Sequence, residues 1–161
     1  MLSPIRRLCH WGPIASVAVV VSVTIATISA NMSLLLCLVY QLSMCLTLYN
    51  MWCAALLGPG YLDPNEDNPP DSGRFCRKCA LIVAKKHHHC SWINNCVGQN
   101  NEHYFKRFLL FAAVVAIESC VILSLDTYHR YLVNTFLLFN LFNLGLAFGV
   151  LLAASVLLYI H

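Results

Sequence analysis

Charge is what this sequence lacks. Lys, Arg, Asp and Glu make up 11% of its 161 residues, where a soluble domain carries about a quarter. That shortage excludes an ordinary water-soluble globule. The net charge of +3 is too small to point to nucleic acid as a partner. The few charges are also unevenly spread. Twelve of the 17 fall between Gly58 and Arg107, and the other 111 residues share five. One polar island therefore separates two apolar blocks.

The apolar blocks contain four long runs: Ile14 to Ala30, Met32 to Leu57, Phe108 to Leu125, and Leu132 to Ile160. Each can supply the roughly 20 residues that cross a bilayer core of about 30 Å. In lipid such runs must be helical, because only a helix satisfies its own backbone hydrogen bonds. The many β-branched residues of the first run weakly disfavour helix, and that preference yields to the same demand. The expected fold is an all-α, multi-pass membrane protein of two helical hairpins. The first hairpin turns around Asn31 and the second near Asp126, His129 and Arg130. A rival reading makes the first run a signal peptide, with Arg6 and Arg7 before it and Ile-Ser-Ala before Asn31.

Either reading leaves the island on the cytosolic side. It holds seven of the ten Lys and Arg residues, as the positive-inside rule expects. Cytosolic thiols stay reduced, so the island's cysteines read as metal ligands or nucleophiles. Within the runs, Gly145 and Gly149 form a small-xxx-small step suited to close helix packing. Asn140 and Asn143 are candidates for hydrogen bonds to a neighbouring helix. Cys37, Cys45, Cys53 and Cys120 read as filler, and Cys9 as a candidate for acylation at the membrane surface. Glu118 is a carboxylate at membrane depth and hence a functional suspect, though the sequence gives it no role.

Gly58-Pro59-Gly60 ends the second run, and Asp63 to Gly73 reads as a linker. Cys76 and Cys79 then form a C-x2-C knuckle, which presents two thiolates to one ion. Structural zinc takes four N or S ligands in a tetrahedron. The remaining two must come from His87, His88, His89, Cys90 and Cys96. His89 with Cys90 is a strained neighbouring pair, whereas His89 with Cys96 leaves a comfortable six-residue loop. The preferred set is Cys76, Cys79, His89 and Cys96, as one structural Zn2+ site. The competing readings are no metal, or a His tract that collects metal loosely. Cys90 is left free beside the site. A free thiol next to histidines suggests a nucleophile, with His88, two residues earlier, as its base.

These residues resemble the DHHC protein S-acyltransferases, or palmitoyltransferases. The likeness rests on His88-His89-Cys90-x-Trp92-Ile93-Asn94-Asn95-Cys96-Val97-Gly98-x-x-Asn101, then Tyr104-Phe105. Arg7-Leu8-Cys9-His10-Trp11-Gly12-Pro13, Leu48-Tyr49-Asn50 and Gly58-Pro59-Gly60 look like an endoplasmic reticulum subgroup resembling human member six. The resemblance implies four transmembrane helices with a Cys-rich domain between the second and third. It implies palmitoyl-CoA as acyl donor, an acyl-Cys90 intermediate, and transfer to substrate cysteines at the cytosolic face. His88 would take the thiol proton, and the zinc would hold the loop without doing chemistry.

Four departures stand out. His87 occupies the position of the family's Asp, giving His-His-His-Cys, and cannot supply the negative charge that orients the catalytic His. Loss of such a charge cost about 10⁴ in rate in a well-studied triad. Ser91 replaces a Pro. The family's second zinc site survives as C-x2-C-x9-H-x6-C, while Ile82 stands where a Cys of the first site is expected. The Thr-Thr-x-Glu motif and aromatic segment that follow the family's fourth helix do not occur before His161, which fits a fragment, a truncated isoform or a degenerate paralogue.

The resulting expectation has three parts: residues 1–57 with helices one and two, 58–107 as the cytosolic Cys-rich zinc domain, and 108–161 with helices three and four. The expected function is a palmitoyltransferase of the endoplasmic reticulum or Golgi membrane. Catalysis falls to Cys90, His88 and His87. Membrane lipid, palmitoyl-CoA and substrate proteins with juxtamembrane cysteines are the partners. The alternative is an impaired or inactive member that acts as a zinc-binding partner protein in the membrane.

Overall fold

Apolar length becomes helix. The computed structural model describes residues 9–30, 32–62, 73–85, 88–132 and 137–160. The Arg6–Arg7 pair, Asn31, linker residues 63–72, and His87 lie outside the described residues. Four helices form: α1 (Trp11–Ile28), α2 (Leu34–Leu56), α3 (Glu102–Leu132) and α4 (Leu138–Ile160). Their most apolar stretches have mean hydropathies of 1.9, 1.6, 2.5 and 2.3, and all four are long and apolar enough to cross a membrane.

The second hairpin does not turn where the charges suggested. Asp126, His129 and Arg130 all lie inside α3, which runs on to Leu132. Arg130 Nε donates to Asp126 Oδ2 at 2.6 Å, one helical turn apart. Asn140 Nδ2, on α4, donates to the same oxygen at 2.5 Å. With the carboxylate so occupied, the polar cluster is stable within the helix and does not break it. At 1.5 Å per residue α3 is about 46 Å long, well beyond a bilayer core of about 30 Å.

The expectation of an all-α chain fails between α2 and α3. That region contains β1 (Tyr61–Leu62), β2 (Gly73–Cys76), β3 (Leu81–Ala84), β4 (His88–Cys90) and β5 (Asn95–Val97). The first three form an antiparallel sheet in the order β1-β3-β2, and β4 pairs with β5. The strands are two to four residues long. β2–β3 and β4–β5 are the arms of tight hairpins, and three turn residues, Ala80, Lys85 and Asn94, sit at positive φ. Pieces this short carry no readable alternation of apolar and polar residues.

The described residues pack as two compact units. One contains the start of α1 to Ser16, the end of α2 from Leu48, all five strands, and the start of α3 to Phe108. The other contains Val17–Thr47 and Leu109–Ile160. In this second unit Tyr40, Met44 and Val115 form a buried cluster with Val20 and Met32 against it. Polar side chains bridge its helices. Ser119 Oγ donates to Tyr40 Oη at 3.3 Å, and Thr27 Oγ1 lies 3.4 Å from Ser119 Oγ. Ser22 Oγ donates to Asn143 Oδ1 at 2.8 Å, and Ser43 Oγ to Glu118 Oε1 at 3.2 Å. Asn140 and Asn143 thus do reach neighbouring helices. Gly145 and Gly149 do not serve close packing among the described residues, since a Cβ at either would meet nothing within 4 Å.

Candidate metal centre and thiol site

The first unit is built around the two short hairpins. The β2–β3 hairpin carries Cys76 and Cys79, and Ala80 N donates to Cys76 O at 2.7 Å to close the knuckle. The β4–β5 hairpin sets His89 opposite Cys96. Cys76, Cys79, His89 and Cys96 come together with all four donor atoms within 4.8 Å of one another. His89 Nδ1 lies 3.7 Å from Cys76 Sγ, 3.4 Å from Cys79 Sγ and 3.6 Å from Cys96 Sγ, and the Cys79 and Cys96 sulfurs are 3.5 Å apart. A zinc ion at about 2.3 Å from sulfur and 2.0–2.1 Å from nitrogen places tetrahedral ligands about 3.5–3.8 Å apart. The cluster therefore fits a cation of that size, and its three sulfurs and one imidazole suit zinc chemically.

The thiols conflict with one another when no cation is bound. Burial would raise Cys76, but the N–H of Cys79, the Cys96 thiol and the N–H of Lys78 outweigh it and bring Cys76 down to about 7. Burial pushes Cys96 far up, and the neighbouring Cys76 and Cys79 push it further. Cys79 is raised by burial as well. Charge that accumulates on one sulfur opposes ionisation of the next, and a divalent cation removes that conflict.

The strand alternation separates this cluster from Cys90. Successive side chains of a strand point to opposite faces. His89 and Cys96 share one face of the β4–β5 hairpin, while His88, Cys90, Asn95 and Val97 share the other. His88 packs on the wholly buried Phe105, with ring centroids 5.4 Å apart. Cys90 is buried, and burial pushes its thiol up. The N–H groups of Ile93 and Trp92 pull the other way, as does the Lys78 ammonium. Lys78 Nζ also donates to Ser91 Oγ at 3.3 Å.

The DHHC palmitoyltransferase family matches residues 64–161, more than half of the chain. The chain belongs to this family. Individual relatives agree over shorter stretches. Palmitoyltransferase ZDHHC3 of Rattus norvegicus is 35% identical over 62 residues, which is 38% of this chain and 21% of that protein. Palmitoyltransferase PFA3 of Eremothecium gossypii is 36% identical over 76 residues, 42% of this chain and 23% of that protein. Palmitoyltransferase swf1 of Schizosaccharomyces pombe is 56% identical over 41 residues, 26% of this chain and 12% of that protein. The chain thus aligns with less than a quarter of the length of each of these palmitoyltransferases.

Two asparagines in the DHHC-like string have a role that sequence reasoning did not give them. A helix end leaves four carbonyls without partners. At the end of α2, Asn95 Nδ2 lies 3.1 Å from Ala54 O, 3.1 Å from Ala55 O and 2.8 Å from Leu57 O. Asn101 Nδ2 donates to Ala54 O at 3.0 Å and to Cys96 O at 2.9 Å, and its Oδ1 accepts from Gly98 N at 2.9 Å. Both side chains are buried. They tie the thiol hairpin to the end of α2. Gly98 is needed there because a Cβ would lie 2.5 Å from Pro59 O and 2.8 Å from Val83 Cγ1. Their polar neighbours, Asn94, Gln99, Asn100 and Glu102, hid them in the sequence; once buried, their amides must find backbone partners.

Proposed function

We propose that this chain is a protein-cysteine S-palmitoyltransferase that forms an acyl-Cys90 intermediate. The observation that carries this reading is the split hairpin: His88 and Cys90 share one face of β4, and His89 turns to the metal-binding face. In this scheme the Cys90 thiol gives its proton to His88, and its sulfur attacks the thioester carbonyl of palmitoyl-CoA. The CoA sulfur leaves and takes the proton from His88. A substrate cysteine, deprotonated in turn by His88, then attacks the acyl carbon on Cys90; the acyl group passes to the substrate sulfur, and the Cys90 sulfur leaves and takes the proton back from His88. The N–H groups of Trp92 and Ile93 face the Cys90 sulfur and favour its ionised form.

Cys76, Cys79, His89 and Cys96 are the residues that would hold zinc, a single structural ion. When bound it fixes both hairpins and neutralises the thiolates. Residues 58–107 would form the cytosolic face, consistent with their share of Lys and Arg. An endoplasmic reticulum or Golgi membrane suits the subgroup resemblance. His87, where the family has Asp, is expected to slow the chemistry without abolishing it.

Labelling with an alkyne fatty acid tests the reading. Wild-type chain is expected to take up label and pass it to a peptide bearing a juxtamembrane cysteine, whereas Cys90→Ser takes up none. Equal labelling of both would sink Cys90 as the nucleophile. His87→Asp, which restores the family's charge, is expected to raise the labelling rate.

A further inference from the structure

The start of α1 and the loop after Cys90 meet with no space between them. α1 begins on His10, whose Nδ1 accepts from Gly12 N at 3.3 Å. Pro13 is tolerated in this first turn because its missing N–H would have had no helical partner. Gly12 is buried. A Cβ there would lie 1.8 Å from Ser91 O, 2.7 Å from Ser91 C and 3.2 Å from Trp92 Cα. All three are backbone atoms, so no side chain can swing aside to make room. Ser16, one turn on, donates from Oγ to Gly12 O at 2.9 Å and, less closely, to Trp92 O at 3.4 Å. Trp11 meets Trp92 edge to face, with ring centroids 6.0 Å apart.

Ser91 and Trp92 follow Cys90 directly in the chain. The N–H of Trp92 is one of the two that face the Cys90 sulfur. Any displacement of this segment therefore moves the thiol and its donors together. We propose that the first turn of α1 is the positioning element of the Cys90 loop. Gly12 lets the helix seat against Ser91 and Trp92, and Ser16 and Trp11 clasp it. This rests on the reading of Cys90 as the nucleophile. None of the three residues touches the reacting atoms. They act by fixing where the sulfur stands, and misplacement by about 1 Å can cost on the order of 100-fold in rate.

The test compares single-turnover acylation of Cys90 by palmitoyl-CoA in the purified chain. Gly12→Ala is matched with Gly58→Ala, whose Cβ would meet only the Tyr61 ring at 3.9 Å. Gly12→Ala is expected to acylate at least about tenfold more slowly at saturating donor, with half-saturation by palmitoyl-CoA and zinc content unchanged. Gly58→Ala is expected to match wild type. Ser16→Ala is expected to slow acylation about two- to tenfold, the loss of one hydrogen bond, and Ser16→Thr to restore it. Gly12→Ala acylating as fast as Gly58→Ala would overturn the proposal. So would loss of zinc in Gly12→Ala together with an unaltered rate in Ser16→Ala, because the turn would then be structural only. Failure of the Cys90 reading itself is distinct, since Cys90→Ser would then label as well as wild type.

Discussion

The two units solve the problem of buried polar groups in different ways. In the helical unit, side chains bond to side chains across helices, as Ser22 does to Asn143 and Ser119 to Tyr40. In the Cys-rich unit, side chains bond mainly to backbone, as Asn95 and Asn101 do at the end of α2. Intramembrane side-chain bonds average only about 0.6 kcal/mol. A buried backbone carbonyl stripped of its partner costs about 1–3 kcal/mol. The glycines differ likewise. Gly12 and Gly98 leave no room for a Cβ, whereas Gly145 and Gly149 have open space around them. The Cys-rich unit is specified residue by residue, and the helical unit by composition.

That contrast can be broken, and removal of zinc should break it furthest. Structural zinc contributes about 10–16 kcal/mol in small peptides. A strong chelator, or Cys76→Ser, is expected to open amide exchange throughout β2–β5 while the middles of α2 and α4 stay protected. Uniform loss of protection in both units would refute the separation.

Smaller effects sharpen the contrast. Asn95→Ala is expected to destabilise the Cys-rich unit by about 1–3 kcal/mol, read as loss of zinc at a lower denaturant concentration. Ser22→Ala, which removes an interhelical bond, is expected to cost about 0.6 kcal/mol in thermal unfolding in detergent. Gly145→Ala should cost nothing measurable, and its higher helix propensity favours a gain below about 1 kcal/mol. A large loss at Gly145 would mean that the open face is covered by another chain.

The sequence is legible where one strong cause acts alone. Four long apolar runs have only one solution in lipid, so the helices were legible from composition. The spacing of Cys76, Cys79, His89 and Cys96 likewise allows few other groupings. What escaped notice depended on partners distant in sequence. The Asp126–Arg130 cluster resembled a turn because its pairing with Asn140 was invisible. The strands escaped because pieces of two to four residues have no period to detect. The caps formed by Asn95 and Asn101 reach back more than 35 residues to α2. Gly12 stands in the sequence only as part of a motif, and its contact with Ser91 depends on the fold.

In the proposed scheme a zinc-held hairpin presents Cys90 as an acyl carrier. Mass spectrometry of the purified chain after exposure to palmitoyl-CoA tests it most directly, with metal content and the acylated residue read on the same sample. One zinc per chain and a hydroxylamine-labile palmitoyl group on Cys90 are expected. A zinc-loaded chain with Cys90 unmodified would contradict the scheme.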